Sequence, residues 1–119
     1  MKPIQNQIIL VTGSTDGIGK ITSRKLAEKG ATVLVHGRSR QKCQDTAEEI
    51  RRRTDADNVP YYVGDLSSLA EVRTLAEKIA SDHRRLHVLI NNAGVGAVKG
   101  QDGDPPRSQD GYPLCFAVN

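Results

Sequence analysis

Ile8-Ile9-Leu10-Val11-Thr12-Gly13-Ser14-Thr15-Asp16-Gly17-Ile18-Gly19 is the stretch that decides the fold of this chain. An aliphatic run enters a glycine-spaced turn, and the turn opens directly into a helical pattern. A run without polar alternation suits a strand covered on both faces, which places the turn at the carboxyl edge of a sheet. Glycines there let backbone approach phosphate oxygens, and a helix amino terminus adds unpaired N–H groups and the positive end of a dipole. Strand, turn and helix in this order form the arrangement that receives a dinucleotide pyrophosphate. The turn from Gly13 through Ser14, Thr15, Asp16, Gly17 and Ile18 to Gly19 is therefore the first expected cofactor contact. For Gly19 a second reading stands beside it, that of a residue allowing tight strand–helix packing.

Outward from this stretch, short apolar runs recur at residues 7–12, 32–36, 59–63 and 86–91, separated by helical patterns. Between residues 17 and 29, Ile18, Ile21 and Leu26 can share a face. Cys43, Ala47 and Ile50 recur at helical spacing over 40–53, and Leu69, Val72, Ala76, Ile79 and Ala80 form a stripe over 68–85. Gly30 stands where a helix end wants the left-handed conformation. Ser39 can cap the second helix and Ser67 or Ser68 the third, with Glu71 near enough for a capping box.

This alternation predicts an α/β fold: an incomplete doubly wound parallel sheet of four strands in the order 3-2-1-4. Three intervening helices and the start of a fourth complete the pattern, with right-handed crossovers. The end of the fourth strand, Asn91, then adjoins the glycine turn at the topological switch point. Residues 95–111 lack periodicity and contain Asp104-Pro105-Pro106, which reads as a loop. Residues 112–119 look like the beginning of another helix. Because the chain stops inside an apolar run, 1–119 is expected to be the amino-terminal, cofactor-binding part of one larger domain whose catalytic part is absent.

Composition excludes several classes. At 119 residues, 37% hydrophobic and 26% charged, the chain is expected to be an ordinary soluble globular unit, and 3% aromatics require an aliphatic core. The net charge of +3 is dispersed, apart from Arg51-Arg52-Arg53. That run reads as a helix end complementing its dipole rather than a nucleic-acid patch, which would bring stacking aromatics. Cys43 and Cys115 are expected as free thiols. His36, His83 and His87 show no metal-ligand spacing, and no metal is expected. Nothing resembles a signal core or a spanning helix, so no membrane segment and a cytoplasmic location are expected.

Three further groups converge on the turn. His36-Gly37-Arg38-Ser39 follows the second strand, where such folds read the adenosine ribose. An acid there accepts from the 2′-hydroxyl, and an arginine pairs with a 2′-phosphate. No acid stands in this stretch. Arg38 offers a planar fork, with Ser39 and Ser14 as added donors, so NADP(H) is expected ahead of NAD(H). Taken alone, Arg38 would read as a solvated charge, and His36 reads as a strand-end residue. Asp65 and Leu66 follow the third strand. The Asp65 carboxylate can accept from an adenine amino group beside the Leu66 N–H, or it can begin a turn and cap the next helix. Asn92, Ala93 and Gly94 follow the fourth strand, where amides can tie neighbouring strands and the small residues leave room for a nucleotide ribose.

Thr12-Gly13-x-x-x-Gly17-x-Gly19, with Asp65-Leu66 and Asn91-Asn92-Ala93-Gly94, resembles the short-chain dehydrogenase/reductase (SDR) family. Asp110-Gly111-Tyr112 and Phe116-Ala117-Val118-Asn119 resemble its retinol dehydrogenase and protochlorophyllide reductase branch. The resemblance implies a Rossmann fold, a nicotinamide cofactor, and hydride transfer with a small-molecule carbonyl or alcohol. It favours the adenine contact for Asp65 and puts Arg38 at a position associated with NADP. Asn119 matches a catalytic asparagine that maintains a water-linked proton relay. The family also uses a catalytic Tyr-x-x-x-Lys pair on a later helix. Here Tyr61, Tyr62 and Tyr112 have Asp65, Leu66 and Phe116 at that spacing. The expectation is thus the NADP(H)-binding portion of an SDR oxidoreductase, without turnover by these residues alone. A non-catalytic nucleotide-binding module or sensor is the alternative, and a homo-oligomer is left open.

Overall fold

The computed structural model describes residues 2–94, 106–112 and 118. The elements are β1 (Ile8–Val11), α1 (Gly17–Glu28), β2 (Thr32–Gly37), α2 (Arg40–Arg53), β3 (Tyr61–Val63), α3 (Leu69–Asp82) and β4 (Val88–Ile90). The strands form one sheet in the order β3-β2-β1-β4, all pairs parallel. This is the doubly wound arrangement that the alternation predicts. Val11 stands opposite Val35 on one side and Ile90 on the other, so the turn after β1 opens beside the chain leaving β4. β3 and β4, each bonded on one side in this sheet, are shorter than their apolar runs, at three residues each.

Alternating side chains divide the interior into two cores. Ile9, Val11, Val33 and Val35 pack with Ala27 of α1 and with Ala47 and Ile50 of α2. Leu10, Leu34 and Tyr62 point the other way, onto Leu75 and Ile79 of α3. A strand between two helical layers needs apolar residues at every position, which explains the unbroken runs. Val11, Leu34 and Val35 are completely buried. Each is worth roughly 1.5–3 kcal/mol relative to exposure in water.

Two helix faces depart from expectation. α1 buries Gly19, Ser23 and Ala27, while Ile18 is 77% exposed and Ile21 48% exposed. Small residues at this spacing bring the helix close to the sheet, and the isoleucines turn outward. α3 buries Ile79 of the expected stripe together with Leu75, which lies outside it, while Leu69, Ala76 and Ala80 are exposed. The helix packs against Leu10, Leu34 and Tyr62 on three strands, and these set its buried line. Leu89 of β4, in register with Leu10, stays 50% exposed.

The helix ends follow local chemistry. Ser39 caps α2 by accepting from the Lys42 N–H at 3.3 Å, and Ser68 caps α3 by accepting from the Glu71 N–H at 3.3 Å. The expected capping box is half formed. Ser68 N–H donates to the Asp65 carbonyl at 3.1 Å, so the Glu71 carboxylate accepts from the Asp65 N–H at 3.2 Å. Gly30 ends α1 at φ 97°. Arg51, Arg52 and Arg53 fill the last turn of α2, where Arg51 pairs with Glu48 at 3.0 Å.

Residues 106–111, read as part of a loop, dock at the start of α3. Asp110 Oδ2 accepts from the Leu69 N–H at 2.7 Å, and the Gln109 N–H donates to the Ser67 carbonyl at 3.1 Å. His83 and His87 are ties between elements. His87 Nδ1 accepts from the Ile8 N–H, and the Tyr62 hydroxyl meets both Asp82 Oδ2 and His83 Nε2, all at 2.9 Å. Residues 95–105 of the expected loop and most of the expected helix start at 112–119 lie outside the described residues. Among the described residues, no helix is long and apolar enough to cross a membrane.

Candidate functional site

At the carboxyl ends of the strands the chain encloses a cleft of about 770 Å³. Its floor starts at the turn after β1. Thr12 N–H donates to the Ile90 carbonyl at 3.1 Å and Ser14 N–H to the His36 carbonyl at 2.8 Å, so both neighbouring strands hold the turn. Gly13 takes φ 63°, and a Cβ there would lie 2.8 Å from the Ala93 Cα. A Cβ on Gly19 would run into the Asn92 amide and the Gly13 carbonyl. At Gly13 the left-handed backbone and the closeness of Ala93 both select glycine, and at Gly19 closeness alone does so. The α1 cap residue, Asp16, makes no side-chain cap bond, leaving the first-turn amides without that partner.

Asn92 and Thr12 sew the ends of β4 and β1 together. Asn92 Nδ2 donates to the Thr12 and Gly13 carbonyls, both at 3.1 Å. The Thr12 hydroxyl accepts from the Asn92 N–H at 3.1 Å and the Ala93 N–H at 3.0 Å. This is the strand-tying role foreseen for the amides. Thr12 was not among the expected contacts, although its place before Gly13 was the available signal.

The rim is charged and open. Arg38, Ser39 and Lys42 are exposed on one side of the cleft, and Lys42 Nζ lies 3.9 Å from Asp16 Oδ2 across it. Since the Ser39 hydroxyl accepts from the Lys42 N–H, its proton remains available to donate. Lys42 escaped the sequence reading. It lies one helical turn beyond the Ser39 cap, a spacing that returns it to the same side.

Asp65 starts a turn, as one of its two readings has it, and it also stands in the cleft. Oδ1 accepts from the Ser67 N–H at 2.9 Å, starting the turn toward α3, while the residue also lines the cleft beside Leu66. Hydrogen bonds from the Ser67 backbone and then its side chain hold the carboxyl below its ordinary value, helped by the Arg38 charge. Gln109 Nε2 donates to Oδ2 at 3.4 Å.

Gly13, Thr15, Asp16, Gly17, Arg38, Ser39, Asp65, Leu66, Asn92, Ala93 and Gly94 thus line one cleft. Three expected contacts do not. Ser14 is completely buried, its hydroxyl accepting from the His36 N–H at 2.9 Å and donating to the His36 carbonyl at 3.3 Å. It therefore fastens the turn to β2 and is not the added donor expected beside Arg38. Ile18 turns outward at the start of α1, and Gly19 is buried beneath the floor. Asn119 and Cys115 lie outside the described residues. Burial pushes the Cys43 thiol up, which keeps it protonated and unreactive. Among the described residues no His, Cys, Asp and Glu group could hold a metal ion.

Residues 7–116 match the family described as short chain dehydrogenase. The chain is 36% identical over 116 residues to retinol dehydrogenase 12 of Mus musculus, covering 98% of this chain and 35% of that protein. It is 34% identical over 117 residues to polyprenol dehydrogenase of Homo sapiens, covering 98% and 34% respectively. It therefore spans about a third of the length of these curated relatives. Among solved structures, an RhlG/NADP active-site complex from Pseudomonas aeruginosa aligns with a TM-score of 0.79 at 30% identity, over 99% of this chain and 45% of that one. A metagenomic short-chain oxidoreductase in complex with NADP aligns at 0.76 and 31% identity, over 94% and 49%. By its sequence from residue 7 to residue 116 and by its sheet, the chain belongs to the short-chain dehydrogenase family.

Proposed function

We propose that the cleft binds NADP(H), ahead of NAD(H), as the cofactor-binding portion of an oxidoreductase acting on a small-molecule carbonyl or alcohol. The observation that carries this reading is the meeting, in one cleft, of the glycine turn at the amino end of α1 with the exposed cations Arg38 and Lys42. The turn also suits the group sterically. A Cβ placed on Gly17 would meet nothing within 4 Å, so the outer side of the turn is open to a ligand.

In this reading the backbone of residues 13–17 receives the pyrophosphate. The Arg38 guanidinium, the Lys42 ammonium and the Ser39 hydroxyl hold the 2′-phosphate. Lys42 also offsets the Asp16 carboxylate, which would otherwise repel it. Asp65, kept ionised, accepts from the adenine amino group beside the Leu66 N–H. Ala93 and Gly94 leave space for the nicotinamide-side ribose, and Asn119 serves the proton relay of a longer enzyme. The bound dinucleotide gives a hydride to a carbonyl or takes one from an alcohol, and the protein supplies its orientation.

Calorimetric titration tests the assignment. A charge-assisted hydrogen bond is worth about 1.5–3 kcal/mol, so NADPH should bind about 10- to 100-fold more tightly than NADH. Arg38→Glu should erase that gap. Equal affinities in the unmutated chain overturn the NADP assignment, and binding of neither overturns the nucleotide reading. The same samples given a carbonyl substrate should show no sustained NADPH oxidation. Turnover would defeat the second reading, a nucleotide-binding module without catalysis. That reading is favoured by Asp65, Leu66 and Phe116 standing where lysine would follow Tyr61, Tyr62 and Tyr112.

A further inference from the structure

The imidazole of His36 is 2% exposed and lies where the β1 turn and the ends of β2 and β3 come together. Its Nδ1 accepts from the Gly13 N–H at 3.0 Å, and its Nε2 is 3.0 Å from the Gly64 carbonyl. An amide N–H can only donate and a carbonyl can only accept. These two partners therefore select one state of the ring: neutral, with its proton on Nε2. The Ser14 bonds to the His36 backbone fasten the same turn from the other side.

We propose that His36 is a positioning residue of the dinucleotide turn, holding the Gly13 amide through Nδ1 and releasing it when the ring takes a second proton. This rests on the nucleotide reading above. A second proton would set an Nδ1–H against the Gly13 N–H, two donors head to head in a buried place. The turn would have to move away, and residues 13–17 would lose the shape that receives a pyrophosphate. His36 then acts through Gly13, without reacting with the ligand.

The sign of the pH dependence follows. Burial lowers the pKa of His36 below 6.5, with the Gly64 carbonyl opposing part of that shift. The neutral ring stabilises the turn fully above about 6.5, and that contribution is lost as pH falls toward the lowered value. The titratable groups around it come from each neighbouring element. Asp16 belongs to the turn, Arg38 and Lys42 to the stretch from β2 into α2, and Asp65 to the end of β3. Cys43 of α2 lies near Gly37. Asp65 is held below its ordinary value and Cys43 above, so neither changes charge in this window.

The experiment uses the 119-residue chain and NADPH at about pH 8 and about pH 5, comparing the unmutated protein with His36→Asn. The asparagine amide oxygen can stand where Nδ1 stands but does not titrate. Both proteins share the titration of the ligand's own 2′-phosphate, whose pKa is about 6. The unmutated chain should lose about tenfold more affinity than the variant over that range, a difference of about 1.4 kcal/mol. A nucleotide-independent readout is ¹⁵N NMR of the ring in the free, unmutated chain, which should show the Nε2–H tautomer at about pH 8. The protection of the Gly13 amide against exchange, taken relative to the intrinsic rate at the same pH, should fall in acid in the unmutated chain and not in the variant. An Nδ1–H tautomer, or equal pH dependence in both proteins, overturns the role of His36 while leaving the nucleotide reading intact. The expected tautomer without NADPH binding at either pH overturns the nucleotide reading, and the positioning role with it. The tautomer measurement stands even where His36→Asn fails to fold.

Discussion

On the floor of the cleft, Gly13, Gly19, Asn92 and Ala93 crowd together, and hydrogen bonds of 3.0–3.1 Å from Asn92 and Ala93 close the gap between β4 and β1. On the rim, Arg38, Ser39, Lys42 and Asp16 are exposed, and Lys42 stands 3.9 Å from Asp16. The contrast separates two kinds of specification. Steric exclusion and donor–acceptor matching shape the floor, so its residues bear on folding and binding together. Charge in water defines the rim, so its residues can alter what binds while leaving the fold in place.

Gly13→Val is the strongest way to break this comparison. The new side chain would take a backbone conformation of φ 63° and press on Ala93. Backbone strain and overpacking each cost about 1–3 kcal/mol, so thermal unfolding by circular dichroism should fall by about 10 °C or more. An unchanged midpoint would show that the floor is not sterically determined. Asn92→Ala comes next. It removes both Nδ2 bonds to the Thr12 and Gly13 carbonyls. Denaturant unfolding should register a loss of about 1–3 kcal/mol, with NADPH binding weakened about tenfold. Stability equal to the unmutated protein would dissolve the distinction from the rim. Lys42→Met should have the smallest effect and sharpen the comparison from the other side. Stability should stay within about 0.5 kcal/mol, while NADPH binding weakens by about threefold and NADH binding does not. A large loss of stability would move Lys42 to the floor.

The same division marks what could be read in advance. The helix expected at 40–53 is α2 as found, because Ser39 caps it locally and Cys43, Ala47 and Ile50 repeat at helical spacing. The residues gathered by the cleft were also legible, since a turn after a buried strand has few places to go in a doubly wound sheet. The buried faces of α1 and α3 were not. Ile18 and Ile21 fit a helical stripe as well as Gly19, Ser23 and Ala27 do, and only the approach of helix to sheet distinguishes them. Leu75 was overlooked for a similar reason, since its partners Leu10, Leu34 and Tyr62 lie on three different strands.

From the order of its residues alone, this chain had its alternation of strands and helices, its 3-2-1-4 sheet and its phosphate-type turn determined. Those properties follow from local periodicity, helix caps and the handedness of crossovers. Tertiary structure alone decided that Ser14 fastens the turn instead of serving the rim and that Lys42 reaches Asp16. It also decided that the His36 ring joins Gly13 to Gly64. Those roles depend on which donors and acceptors meet across 22 to 28 residues of intervening chain, a geometry that exists only once the strands are side by side.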